Sequence, residues 1–201
     1  MSIRIFAAAL MAPLSAAALA QAAPIAPPAP QPEIVPVAIE TSLGRIVVDL
    51  DETDAPVTTA NFLHYVDTHR YDGESFYRAM PAGTGGLIQG GIRSNGLKLF
   101  PPIAHEPTSK TGLHNVAGAI SMANAGPGTA RADFFILASD IPSLDATASD
   151  PGFAVFGHVA EGMDVVQKIL AAPVSPTAGE GPMKGQMLDP PVKIIKVERV
   201  K

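Results

Sequence analysis

The chain has 201 residues, 47% of them hydrophobic and 16% charged, with 14 Lys and Arg against 19 Asp and Glu for a formal charge of -5. That length accommodates one well-buried domain plus a tail, and the acidic balance argues against a nucleic-acid partner, because phosphate binding needs a basic face. The absence of cysteine excludes a disulfide framework, thiol catalysis, thiolate metal sites and a lipidated N-terminal cysteine.

Arg4 supplies the positive start of an export signal. Residues 5–20 are apolar, rich in alanine and leucine, interrupted by Pro13, and end in Ala18, Leu19 and Ala20. Small residues at those positions match an A-x-A cleavage pattern, and the run falls short of the roughly 20 residues of a spanning helix. Residues 1–20 therefore read as a cleavable signal peptide cut after Ala20, with no stable membrane insertion afterwards. Residues 21–36, QAAPIAPPAPQPEIVP, carry proline at a density that blocks helix and sheet, and read as a disordered linker. A ligand for a proline-reading domain is the other reading of that composition. Signal, spacer and cysteine-free domain together point to the bacterial periplasm or the cell exterior.

The domain is expected over residues 37–201. VAIETSLGRIVVDL reads as two strands around a turn at Gly44, with Ile46, Val48 and Leu50 in the alternation of a half-buried strand. Asp54 and Pro56 signal a helix start, and Ala55, Thr59, Phe62 and Val66 form one helical stripe that should end near His69. Next come SFYRAM, GLIQGGI, GAISMA, DFFILAS and FAVFGHV, strand-like pieces separated by Gly, Pro, Asn and Asp. Such punctuation indicates a barrel or a sandwich. A second helix fits GMDVVQKIL, with Met163, Val166 and Leu170 on one side. The chain closes on a strand in which Ile195 and Val197 are expected to share a face. The fold class is thus mainly β, with two α-helices far apart in sequence; a closed barrel would remove the sheet edges and leave each helix an open end to plug.

The usual chemistries find little support. There is no G-x-S-x-G elbow and no H-E-x-x-H. His64, His69, His105, His114 and His158 are scattered, so no metal site and no cofactor is expected. AGTGGL has the glycines of a phosphate cradle but lacks the G-K-[ST] ending and runs into a strand rather than a helix. Asp49, Asp51, Glu52 and Asp54 read as a solvated edge, with calcium binding as the alternative. What remains is Arg78, a lone cation among aromatic, apolar and glycine residues, followed eleven positions later by Gln89.

Three motifs, FYRAMP with LIQGG, GAISMANAGPGTARADFFI, and FAVFGHVAEGMDVV, resemble in order and spacing those of the cyclophilin-type peptidyl-prolyl cis-trans isomerases, closest to bacterial periplasmic members. The resemblance runs from about Val37 to Lys201. It implies a closed eight-stranded antiparallel barrel capped by two α-helices, an isomerase that needs no cofactor, and a surface groove that takes proline-containing segments of unfolded or exported proteins. It also implies site roles. Arg78 matches the catalytic arginine, which otherwise reads as half of a salt bridge. Gln89 matches a glutamine that orients that arginine or the substrate carbonyl. Leu87, Phe135 and Leu144 match the proline pocket, and Ala123 and Asn124 the edge that pairs with the substrate backbone. Phe134 should face the core. A monomer is expected.

The chemistry suits these residues. Rotation about an X-Pro bond has a barrier of about 18–20 kcal/mol and makes or breaks no covalent bond. In the twisted amide the proline nitrogen regains a lone pair, to which a permanently charged guanidinium can donate.

Five departures from the family pattern stand out. The loop between Pro81 and Leu87 is longer than usual, and Gly86 stands where many members have phenylalanine. Ser143 stands where eukaryotic members often have tryptophan, which implies weak cyclosporin inhibition. Asp133 replaces a glutamine and is placed to pair with Arg78 or Arg131. Phe153 replaces a histidine and is placed to pack on the proline ring. These changes leave a second reading open, a catalytically weak module that binds proline-containing segments.

Overall fold

The computed structural model describes residues 33–200; the expected signal peptide and most of the expected linker lie outside them. Nine strands form one antiparallel sheet in the order β1-β2-β7-β5-β6-β4-β3-β9-β8. They are β1 (Ile34–Thr41), β2 (Gly44–Asp51), β3 (Ser75–Ala82), β4 (Gly85–Gly91), β5 (Ala119–Met122), β6 (Phe134–Leu137), β7 (Ala154–Glu161), the two-residue β8 (Val174–Ser175) and β9 (Met187–Arg199). β1 also pairs with β9, from Val37 opposite Arg199 to Thr41 opposite Ile194. That pairing closes eight strands into a barrel and leaves β8 as a short flap on β9. Closure satisfies the backbone groups that an open sheet would expose on its edges.

Alternation fills the interior. Ile39, Ile46, Val48, Leu50, Phe76, Ile88, Ile120, Phe134, Ile136 and Phe156 are all fully buried in one cluster. Helix α1 (Pro56–Asp67) adds the expected stripe: Ala55, Thr59, Phe62 and Val66 are all buried. Phe62 meets Phe134 edge to face at 5.3 Å and lies 5.3 Å from Phe156, a geometry that suits the ring quadrupoles. Helix α3 (Met163–Leu170) buries Val165, Val166 and Ile169, and the expected Met163 and Leu170 pack half-buried against the same core. The two helices sit at opposite mouths. The Thr59 hydroxyl donates to the carbonyl of Asp51, the last residue of β2, at 2.7 Å. At the other end of β2, a Cβ on Gly44 would lie 2.7 Å from Cγ2 of Val165, so α3 packs directly on the β1–β2 turn. A single helical turn, α2 (Thr108–Thr111), was not expected. Among the described residues no helix is long and apolar enough to cross a membrane.

Two expectations need correction. The linker was read through Pro36, but β1 starts at Ile34, which pairs with Asp51. Pro36 is tolerated because its carbonyl accepts from Val200 N at 2.9 Å. Its nitrogen, which has no hydrogen to donate, faces the same side, where β9 is running out. Ile195 and Val197 do not share a face either: Val197 is buried and Ile195 is 59% exposed. The register of β9 on β1 jumps from Glu40 opposite Lys196 to Thr41 opposite Ile194. Ile195 is the extra residue of a β-bulge, and the inward phase passes from Ile194 to Val197.

Helix α1 has no side-chain cap of its own. Its first N–H groups are met instead by Glu106, 4% exposed, which accepts from Val57 N at 3.1 Å, Thr58 N at 2.8 Å and the Thr58 hydroxyl at 2.7 Å. A carboxylate at a helix N-terminus satisfies orphan donors and complements the macrodipole. Glu106→Ala is expected to cost about 2–3 kcal/mol in denaturant unfolding, because it strands buried donors, whereas Glu106→Gln, which keeps one acceptor, should cost less.

Candidate active site

On β3, β4 and β6 the residues that point away from the barrel interior are also covered. Leu87, Phe135 and Leu137 join Ala119 and Val155 in a second apolar cluster, with Met80, Leu144 and Phe153 packed against it. Alternation along β6 makes this division: Phe134 is in the barrel core and Phe135 is in the outer cluster. The ring of Phe135 meets Phe153 edge to face at 5.3 Å. Above these rings lies a cleft of about 310 Å³, to which Leu87, Ala123, Asn124, Phe135, Leu144 and Phe153 all contribute. Arg78 and Gln89 stand on its polar side. Every sequence-predicted site residue therefore meets at one place. Met80 and Met183, not anticipated from the sequence, complete the wall.

Arg78 is half-buried on β3, directly opposite Gln89 on β4. Its Nη1 donates to Oε1 of Gln89 at 2.8 Å, its Nε to Oε1 of Gln186 at 2.8 Å, and its Nη2 reaches Sδ of Met80 at 3.3 Å. No ion pair to Arg78 is found among the described residues. Burial pulls the guanidinium down from its usual range, but a guanidinium starts high enough to stay charged. The result is a fixed cation whose positive charge no carboxylate neutralises. Gln186 is a third residue that sequence reasoning missed; it lies 108 positions from Arg78 and belongs to none of the three motifs.

Asp133 pairs with neither Arg78 nor Arg131. Its Oδ2 accepts from the Tyr77 hydroxyl at 3.1 Å, and Oδ1 is buried without a partner. Burial raises the Asp133 carboxyl, and burial together with Asp133 drives the Tyr77 phenol well up. Arg93 lies 4.6 Å over the Tyr77 ring. These groups form a separate polar unit, and Asp133 and Arg131 line a neighbouring depression that shares Gln89, Ala123 and Asn124 with the cleft.

The long β3–β4 loop proves to be ladder. Pro81 pairs with Gly86 and Ala82 with Gly85, so only Gly83 and Thr84 turn, with Gly83 at φ 58. Gly86 has φ 145, and a Cβ there would lie 2.1 Å from the carbonyl oxygen of Met80. No side chain fits, which accounts for the missing aromatic wall. The opposite wall is tied down by Asn115, fully buried, whose Nδ2 donates to the Leu144 carbonyl at 3.2 Å and to Asp145 at 2.8 Å. Leu144 in turn accepts from Phe153 N at 2.9 Å. Asp145 resists burial through hydrogen bonds from Asn115 and His114, which hold its carboxyl below the ordinary range. Among the described residues no group of three or more His, Cys, Asp or Glu side chains is placed to hold a metal ion.

Comparison with known proteins agrees with this geometry. The family described as cyclophilin type peptidyl-prolyl cis-trans isomerase/CLD matches residues 36–199. A peptidyl-prolyl cis-trans isomerase of Acinetobacter baylyi is 39% identical over 166 residues, 81% of this chain and 84% of that protein. Peptidyl-prolyl cis-trans isomerase A of Dickeya dadantii is 40% identical over 137 residues, 66% of this chain and 70% of its own length. Among solved structures, a cyclophilin type isomerase of Cryptosporidium parvum superposes with a TM-score of 0.68 at 21% identity, over 84% of this chain and 99% of that one. A structure of it in the presence of the dipeptide Ala-Pro gives 0.66 at 22%. These two likenesses concern the fold. The extent of the family match, with relatives near 40% identity, makes this chain a member of the cyclophilin-type peptidyl-prolyl cis-trans isomerases.

Proposed function

We propose that this chain catalyses cis-trans rotation about X-Pro bonds in exported proteins, with Arg78 as the donor to the twisted amide and the Phe135–Phe153 floor as the seat of the proline ring. The observation that carries the reading is the Arg78 guanidinium, held by two amide oxygens beside an apolar cleft and neutralised by no carboxylate. Rotation builds electron density on the proline nitrogen. A fixed cation beside a partly dry cleft interacts more strongly with that developing lone pair than with the planar ground state. Lowering the barrier by about 7 kcal/mol corresponds to roughly five orders of magnitude in rate.

Each remaining group has a role in this scheme. Leu87, Phe135, Leu144 and Phe153 exclude water and hold the ring, while Ala123 and Asn124 supply the edge along which the substrate backbone lies. Gln89 fixes one arm of the guanidinium. No cofactor enters the reaction. The partners are proline-containing segments of unfolded proteins, not nucleic acid, and the enzyme acts as a monomer. Arg4, the apolar run of residues 5–20 and the small residues at 18–20 support export to the periplasm or beyond.

With an Ala-Pro-Phe reporter peptide, Arg78→Ala is expected to lower kcat/KM by about 10²–10³-fold, the range for removing one transition-state donor. Arg78→Lys should restore little, because a point charge lacks the planar fork. Folded wild-type protein with no turnover but saturable peptide binding would establish the binding-module reading instead. Expressed in a bacterial host, the chain should appear in the periplasmic fraction with its N-terminus within a few residues of Gln21. Uncleaved protein in the cytosol would remove the export assignment.

A further inference from the structure

A guanidinium has five N–H donors in a fixed fork. In this structure three of them have partners: Nε on Gln186, one Nη1 hydrogen on Gln89 and one Nη2 hydrogen toward Met80. One hydrogen on each terminal nitrogen is left over for a ligand. The Nε donor is taken by Gln186, so a ligand meets only the terminal end of the fork.

Gln186 is built into place from both sides of its backbone. Its carbonyl accepts from Ala79 N at 2.9 Å, next to Arg78 on β3, and its own N–H donates to Met183 O at 3.1 Å. Its neighbour Met187 is the residue of β9 that pairs with Arg78. Arg78 thus stands on a strand between two others, with an amide arm reaching it from each: Gln89 from β4 and Gln186 from the start of β9. The same turn (Gly181–Met183) carries Met183 into the cleft wall.

We infer that Gln186 is a positioning residue for isomerisation, and that its neutrality is what matters. An amide oxygen accepts one hydrogen bond and leaves the guanidinium's charge available to the proline nitrogen. A carboxylate at this position would form a two-point pair with Nε and a terminal nitrogen, withdrawing both the charge and a free donor from the cleft. This inference rests on Arg78 being the donor.

The test is a double-mutant cycle on the full chain, with folding checked by circular dichroism and thermal unfolding. Gln186→Leu is expected to lower kcat about tenfold with KM changed less than twofold, and Gln186→Glu about a hundredfold. Gln186→Met, closer in shape, guards against a folding defect and should behave as Gln186→Leu does. In the Arg78→Ala background none of the three should change the residual rate by more than about twofold. Equal fractional losses with and without Arg78 would make Gln186 a purely structural support of its loop and overturn the inference. So would a wild-type rate in Gln186→Glu. If Arg78→Ala alone leaves the rate intact, the failure lies in the assignment of Arg78, and the cycle separates the two cases.

Discussion

A strand has two faces, and in the middle of this barrel both are covered. That constraint governs the rest. On β6, Phe134 packs against Phe62 inside the barrel while its neighbour Phe135 lies under the cleft. On β4, Ile88 is in the core between Leu87 and Gln89, which line the cleft. A slip of one residue in either strand would exchange the faces, taking Phe135 from the cleft into the core and exposing Phe134. The core and the site are therefore specified by the same register, and closure through β1 and β9 prevents the slip from being absorbed at an edge.

Onto this rigid face the chain places one charge and surrounds it with acceptors that carry none. The contrast with other ionic groups in the molecule is instructive. Arg199 meets Asp67 through two hydrogen bonds of 2.8 Å, and Lys98 meets the buried Glu74 at 2.7 Å. These cations have their charge answered within the fold. Arg78 does not: among the described residues no ion pair reaches it, and Asp133 is engaged by the Tyr77 hydroxyl. With Asp133 bonded to a phenol, the guanidinium keeps only neutral partners, the amide oxygens of Gln89 and Gln186 and the Met80 sulfur.

Much of this was legible in the sequence, for physical reasons that also mark the limit. Ile46, Val48 and Leu50 alternate because β2 buries one face, and the Ala55, Thr59, Phe62 and Val66 stripe follows from helical geometry. Arg78, Gln89, Leu87, Ala123, Asn124, Phe135, Leu144 and Phe153 were found through local motifs, and the cleft unites them. Features outside a local pattern were not found. Gln186 reaches Arg78 only because β9 returns beside β3, and a glutamine after a glycine-rich turn carries no signal of that return. Ile195 continues an apparent alternation, which cannot reveal a bulge whose cause is the partner strand. Proline density marked residues 34–36 as linker, since composition does not show that Pro36 directs its missing donor past the end of β9.

The departure at Gly86 shows how the cleft is completed without its usual wall. Because a Cβ there would collide with the Met80 carbonyl, the tight β3–β4 ladder and an aromatic at this position are mutually exclusive. The wall comes instead from Met80 on β3 and Met183 on the turn before β9, two unbranched thioethers that repack at low cost around irregular surfaces. The opposite side is rigid: Leu144 and Phe153 are joined by a backbone hydrogen bond, and the buried Asn115 amide clamps Leu144. One side of the cleft is thus held by backbone and amide hydrogen bonds, and the other is lined by flexible thioethers. In the proposed isomerisation that division would put selectivity in the proline ring, seated on the rigid side, and tolerance in the residues that flank it.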